Sequence, residues 1–193
     1  VLVATDAGTE RFDDVVLANL TGPYRLTSFK SKEEVVMERF DDYWGDPAYF
    51  QQLVMKNILD SATRLQQLEA GEIDILFANE HELAALTGEE DFHAGMRQLD
   101  GKVPTLVVTR GADGAVAESN GTRAAVAAEP VAKVVDTTGA GDLFAAGFLF
   151  GHVHGRELGD CLHMGAICAA EVISHYGARP EADLKALLKA RLA

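Results

Sequence analysis

The rhythm of apolar and polar positions changes along this chain near residue 75. Between residues 22 and 58, three runs rich in Val, Phe, Tyr and Met, at 22–30, 34–42 and 52–58, partly alternate with polar residues and are separated by polar turns. A period near two marks β-strands. A helix is expected next: Ser61 is a suitable N-cap, Ala62, Leu65 and Leu68 recur every third position along one stripe, and Gly71 supplies the stop.

From there strands and helices alternate, the pattern of a mainly parallel sheet flanked by helices. The spacing predicts strands at 73–78, 105–109, 115–118 and 122–127, with helices at 80–86 and 92–99 and three more toward the C-terminus. Residues 131–135 also read as strand-like. The helix after Gly141 carries Leu143, Phe144, Phe148, Leu149 and Phe150 nearly all round, which predicts a centrally buried helix. Leu184, Leu187, Leu188 and Leu192 form a stripe on the last helix, a core-packing pattern. The expected fold is therefore α/β, a partial three-layer sheet over 75–193, preceded by a mainly β segment over 1–74.

Composition narrows the function classes. A net charge of −13 argues against a general nucleic-acid surface, which needs clustered Lys and Arg. No apolar run approaches the roughly 20 residues of a membrane span, and no secretory leader is visible near Val1, so a cytoplasmic protein without a membrane partner is expected. Cys161 and Cys168 lie seven apart on a predicted helix, sharing a face but too far apart to bridge, and are expected as reduced, buried thiols. His152 and His154 straddle a predicted helix end, where they suit the dipole better than a metal, and Cys161, His163 and Cys168 lack zinc-ligand spacing.

The residues Asp136-Thr137-Thr138-Gly139-Ala140-Gly141-Asp142 lead into the apolar helix. Small residues let several backbone N–H groups converge, and a helix N-terminus adds partial positive charge, so such a turn can hold a phosphate. Asp142 in the first turn is placed to take a proton from a hydroxyl. A plainer reading makes Thr138 an N-cap and Asp142 a first-turn acid complementing the dipole. No Lys-Ser or Lys-Thr pair follows, so this is not a P-loop. Upstream, Asn79-Glu80-His81-Glu82 stands at a predicted strand end, and Thr109-Arg110-Gly111-Ala112-Asp113-Gly114 forms a turn whose glycines allow close backbone approach.

Taken in order, these three motifs resemble the signatures of the PfkB/ribokinase family of kinases: N-x-x-E, T-x-G-x-x-G and D-T-T-G-A-G-D-x-F, the last complete through Phe144. The resemblance implies ATP-dependent phosphotransfer to a primary hydroxyl of a sugar or nucleoside. It makes Asp142 the base and assigns the anion hole to the amides of Gly139, Ala140 and Gly141. It places Asn79, Thr109, Gly111, Gly114 and Thr138 beside the nucleotide, and Glu82 in the Mg²⁺ shell, usually through water. Residues 169–178 resemble the family's final helix, which closes over the adenine, and the stretch from Glu171 to Pro180 is most similar to bacterial adenosine-kinase-like members. Many relatives carry an Asn near Gly165 or Ala166.

The preceding stretch, about 20–74, resembles the peptide-binding proteins of ABC importers in Thr21-Gly22-Pro23-Tyr24-Arg25-Leu26, in Glu38-Arg39-Phe40-Asp41-Asp42-Tyr43-Trp44-Gly45, and in Thr63-Arg64-Leu65 followed by Gly71-Glu72-Ile73-Asp74. It stands where family kinases carry their acceptor-binding Asp and Asn, a paired-Gly hinge and a β-sheet lid. That substitution implies nucleotide binding without efficient turnover, and leaves open a non-catalytic chimeric or fragment protein of solute-binding ancestry. The acceptor and the oligomeric state are not set by the sequence.

Overall fold

A computed structural model describes residues 22–58, 63, 66–68 and 70–192. The chain divides into two compact units, Val1–Arg64 and Leu65–Ala193. In the first, β1 (Tyr24–Lys30), β2 (Glu34–Arg39) and β3 (Gln52–Lys56) form an antiparallel sheet in the order β1-β2-β3, so all three expected strands are present, each shorter at an end. The Arg25 guanidinium covers the Phe40 ring at 3.6 Å from its centre. Ser61, Ala62 and Leu65 of the expected helix lie outside the described residues; 66–68 are helical, and Gly71 adopts φ +71° after them.

The second unit is built on a four-stranded sheet of order β4-β5-β6-β7, comprising β4 (Ile75–Asn79), β5 (Thr105–Thr109), β6 (Ala115–Ser119) and β7 (Thr122–Val126). β4 and β5 are parallel, pairing Ile75 with Thr105 and Asn79 with Thr109, whereas β6 and β7 continue antiparallel. The β6–β7 connection is Asn120-Gly121 with φ of 49° and 75°, the left-handed pair that matches the twist of a two-residue hairpin. Alternation along β5 decides the layering. Leu106 and Val108 join a core with Leu68, Leu83, Met96 and Leu99, while Val107 faces a separate core with Ala117, Phe144, Phe148 and Leu162. Helices α1 (Glu80–Thr87) and α2 (Phe92–Leu99) cover the first face, and α3 (Ala140–Val153) and α4 (Leu158–Val172) the second. This is the expected partial three-layer α/β arrangement. Helix α5 (Leu184–Arg191) adds Leu188 to a third cluster with Met164 and Cys168, and Leu184 and Leu187 pack beside it, while Leu192 is exposed.

Two expectations are corrected. Residues 131–135 are not a strand: they belong to neither sheet, and the Val135 amide donates to the Ile173 carbonyl at 2.8 Å instead of to a neighbouring strand. Valines there favour extended backbone but cannot supply the missing ladder. Helix α3 is buried along Phe144, Gly147, Phe148 and Gly151 only, with Leu149 and Phe150 turned outward. The cysteines are free and buried as expected, and burial pushes the Cys168 thiol up to about 11, making it unreactive.

The α3–α4 contact depends on glycine. A Cβ on Gly147 would stand 2.5 Å from the Met164 carbonyl oxygen and 2.9 Å from Cys168 Sγ. Gly147→Ala is accordingly expected to destabilise the protein by about 1–3 kcal/mol through overpacking. Gly159→Ala, on α4 with nothing within 4 Å, leaves stability unchanged or raised. Urea unfolding of both variants measures the contrast; equal losses would contradict this account of the helix contact.

Candidate active site

Because β4 and β5 run in parallel, their C-terminal ends bring Asn79 and Thr109 side by side, the end of such a sheet where ligands bind. Asn79 is the N-cap of α1. Its Oδ1 accepts the Glu82 amide at 2.9 Å, and Glu82 Oε2 accepts the Asn79 amide at 2.8 Å. This reciprocal box fixes the strand-to-helix corner. It also commits one Glu82 oxygen to the backbone. Among the described residues no group of three or more His, Cys, Asp and Glu is arranged to hold a metal ion.

Beyond Thr109 the chain makes a tight turn in which the Arg110 amide donates to the Gly114 carbonyl at 2.8 Å. Gly114, at φ +86°, has no room for a side chain: a Cβ would lie 1.9 Å from the Val126 carbonyl oxygen. Arg110 is tied across to the first turn of α1, with Nε donating to Glu80 Oε1 at 2.7 Å and the guanidinium 4.3 Å above the Phe92 ring centre.

The third component is the turn into α3. Asp136 gathers it: Oδ1 accepts the Thr138 amide at 2.9 Å and the Thr138 hydroxyl at 2.7 Å, and Oδ2 accepts the Gly177 amide at 3.0 Å. Those donors, Gly177 foremost, hold the carboxyl at about 2, well below its ordinary value of 3.8. Thr138 therefore serves Asp136 and does not cap the helix; Gly139 is the N-cap, at φ +82°. A Cβ there would stand 2.8 Å from the Ala178 methyl, so this position combines a left-handed backbone with close approach. The Ala140 amide donates to Thr137 at 3.2 Å and the Leu143 amide to Gly139 at 2.9 Å, leaving the Gly141 and Asp142 amides in the first turn, where the helix offers no acceptor.

These parts enclose a cavity of about 520 Å³ lined by Asn79, Thr109, Gly111, Gly114, Ala140 and Gly141 of the expected site. Gly139, Thr138, Glu82 and Asp142 are not among the lining residues, and Asp142 is exposed on the first turn of α3, immediately after the lining residue Gly141. The apolar wall comes from Phe144, which ends the third motif, from Ala166, and from Ala169, Ala170 and Ile173 of the stretch expected to close over the adenine. In place of a helix through 178, α4 ends at Val172 and the chain turns. Arg110 was missed as a lining residue, since an Arg inside a glycine-rich turn carries no periodic signal; among the described lining residues it is the one Lys or Arg. Glu129 also lines the cavity, accepting from His163 Nε2 at 2.8 Å and pairing with Arg191 at 3.7 Å. A second cavity, about 350 Å³, lies near Lys102, Pro104 and Ser119 at the opposite end of the strands.

The lowered Asp136 value fixes a pH dependence. A carboxyl with a depressed folded-state pKa adds stability above its ordinary 3.8 that is lost as pH falls through about 2. The stability advantage of the wild type over Asp136→Asn should shrink across that window in denaturant titrations at graded pH. A constant difference would show that Asp136 does not organise the turn as a carboxylate.

The pfkB family carbohydrate kinase model matches residues 48–184. An uncharacterized sugar kinase from Archaeoglobus fulgidus is 32% identical over 174 residues, covering 88% of this chain and 64% of that protein. The structure resembles adenosine kinase from Sinorhizobium meliloti, with a TM-score of 0.64, 39% identity, and coverage of 68% of this chain and 40% of that one. It also resembles Arabidopsis thaliana ribokinase complexed with ribose and ATP, with a TM-score of 0.57, 32% identity, and coverage of 65% and 42%. The chain thus spans less than two thirds of each relative's length, and the family match reaches back ahead of Ile75. With the strand ends, the glycine turn and the Asp136–Asp142 corner all meeting at one cavity, the chain belongs to the pfkB family of carbohydrate kinases.

Proposed function

We propose that the cavity binds ATP and that the protein supports transfer of the γ-phosphate to a primary hydroxyl of a sugar or nucleoside. In this reading residues 75–193 form the nucleotide half, to whose core Leu68 and Ile73 of the preceding β-rich segment 1–74 also contribute. The observation that carries it is the convergence of Asn79, Thr109 and the first turn of α3 on one cavity with an apolar wall at one side and unfilled helix amides at another. Alanines and Ile173 suit the flat base, while the Gly141 and Asp142 amides, with the dipole of α3 behind them, suit phosphate oxygens. Arg110, held in place by Glu80 and Phe92, adds positive charge beside Thr109 and Gly111.

Phosphoryl transfer needs positioning, charge stabilisation and a base. Asp142, exposed beside the amide-lined turn, takes the proton of the acceptor hydroxyl, and of the amides of Gly139, Ala140 and Gly141 assigned to the transferring group, Gly141 is open in the first turn while Ala140 must give up its 3.2 Å bond to Thr137 to join it. Mg²⁺ prefers oxygen ligands and keeps several waters, so it does not need a three-carboxylate cluster. Glu82 fits that requirement, because only Oε2 is used by the capping box; the ion would supply neutralisation of phosphate charge. The acceptor is a small polyhydroxy compound, a sugar or a nucleoside, and the nucleoside class is favoured by the likeness to an adenosine kinase.

Two measurements test this. ATP at about 100 times its Kd should stabilise the protein by about 2.7 kcal/mol, visible as a rise in Tm, and Arg110→Ala should weaken ATP binding about tenfold or more. An unmoved melting curve at millimolar ATP rejects the nucleotide site. Asp142→Asn should keep ATP affinity within about twofold while ADP release with an acceptor falls by about 10²–10⁴; equal turnover of the two proteins removes Asp142 from the chemistry.

A further inference from the structure

Behind the turn into α3 lies a polar cluster that the proposed chemistry does not use. Glu171 closes the last turn of α4, and its side chain is 10% exposed. Its Oε1 accepts the amides of Glu181 and Ala182, both at 2.8 Å, so this one carboxylate ties the end of α4 to the chain entering α5. The His175 side chain, 13% exposed, sits between. Its Nε2 is 3.4 Å from Glu171 Oε1, and its Nδ1 is 3.4 Å from the Tyr176 carbonyl and 3.9 Å from Glu181 Oε1. Among the described residues, Glu171 Oε2 and His175 Nε2 are the buried side-chain polar atoms with no hydrogen-bond partner.

A buried imidazole nitrogen without a partner, 3.4 Å from a carboxylate oxygen, is costly as a bare acceptor and is satisfied once it carries a proton to donate. A neutral imidazole has one N–H and cannot serve the Tyr176 carbonyl and Glu171 at once; an imidazolium has two. The segment so fastened is the one that reaches the site. Two residues after His175, the Gly177 amide donates to Asp136, and Ala178 is the wall against which Gly139 must remain without a side chain. The charged groups set against His175 are Glu171 from α4, Glu181 from the following loop and, across the turn, Asp136, whose carboxyl is lowered in part by the His175 charge.

We propose that Glu171 and His175 are a positioning pair for the glycine turn: protonated His175 fastens residues 173–182 against Asp136 and Gly139, so that phosphate-group affinity at the turn follows the charge on His175. This rests on the reading of Gly139, Ala140 and Gly141 as the phosphate-holding turn. Burial alone pulls the imidazole down, but the Tyr176 carbonyl, Glu171 and Glu181 outweigh it and raise its pKa above 6.5. The sign follows: the fastening is fully present below the ordinary histidine value and is lost as pH rises through the raised one. By reciprocity, a ligand that prefers the fastened turn must raise the His175 value further.

The test is a pH titration of the whole chain by NMR, following the His175 ring and the amides of Thr138 and Gly177 without nucleotide and at saturating ATP. Without nucleotide, both amides should titrate with the midpoint of the ring, and Glu171→Gln, which keeps an acceptor for the Glu181 and Ala182 amides, should lower that midpoint. Amides indifferent to the His175 midpoint would overturn the proposal. With ATP bound the midpoint should move upward by at least a few tenths of a pH unit, equivalent to about a twofold coupling. Bound ATP with an unmoved midpoint also overturns it. Failure of ATP to bind at any pH counts against the nucleotide reading, and the nucleotide-free arm then still decides whether the pair positions the turn.

Discussion

The parallel pairing of β4 with β5 is the constraint on which the rest of this site depends. Its register sets Asn79 opposite Thr109, so the α1 capping box and the glycine turn after β5 start from adjacent points on one sheet edge. A slip of one residue would send Leu106 and Val108 into the α3–α4 face and Val107 into the α1–α2 face, exchanging the side chains of two separate cores. The burial of those three side chains therefore specifies the site as firmly as any polar contact within it. Phe77 contributes to the same lock, packing edge-on to Phe148 of α3 with ring centres 5.4 Å apart, so that strand and helix are fixed beneath the cavity.

On the far side of the cavity, order comes from a single carboxylate. Asp136 gathers donors from its own turn and from Gly177, forty-one positions along the chain, and turns a glycine-rich stretch with little intrinsic preference into a defined corner. The conformational freedom that lets Gly139 take a positive φ would leave that corner mobile on its own. The backbone geometry and its restraint are thus supplied by different residues: Gly139 permits the turn, and Asp136 with the 173–182 segment holds it.

Much of this was legible in the sequence, and the rest was not for identifiable reasons. Strand β5 and helix α2 match the periodicity to the residue, because each has a buried face that alternation or helical spacing displays directly. The three motifs that meet at the cavity were likewise visible as residue types at fixed intervals. Residues 131–135 misled because β-branched side chains report extended backbone, whereas a strand also requires a neighbour, which only the fold supplies. Helix α3 was expected to be buried all round because Leu149 and Phe150 are apolar, but hydrophobicity does not say which layers are present to cover them. Arg110, Glu129 and the Glu171–His175 pair were silent for a different reason. Their roles arise from partners thirty, thirty-four and ten positions away, or from burial, and neither leaves a local pattern.

The acidity of the chain, a net charge of −13, sharpens what must happen inside the cavity if it is to accept a polyphosphate. Acidic groups around it other than Asp142 are engaged: Glu80 with Arg110, Glu129 with His163 and Arg191, Asp136 with amides and a hydroxyl, and one oxygen of Glu82 with a backbone N–H. Each pairing removes a repulsive charge from the path of an anion. Directed at such a ligand would be the partial charge of the helix amides, which needs no side-chain ordering, and the Arg110 guanidinium already held by Glu80 and Phe92. On the proposed reading, selectivity for an anion comes from neutral backbone dipoles and one anchored guanidinium set within an acidic surface. A strongly acidic chain can on this reading still present one local site suited to phosphate.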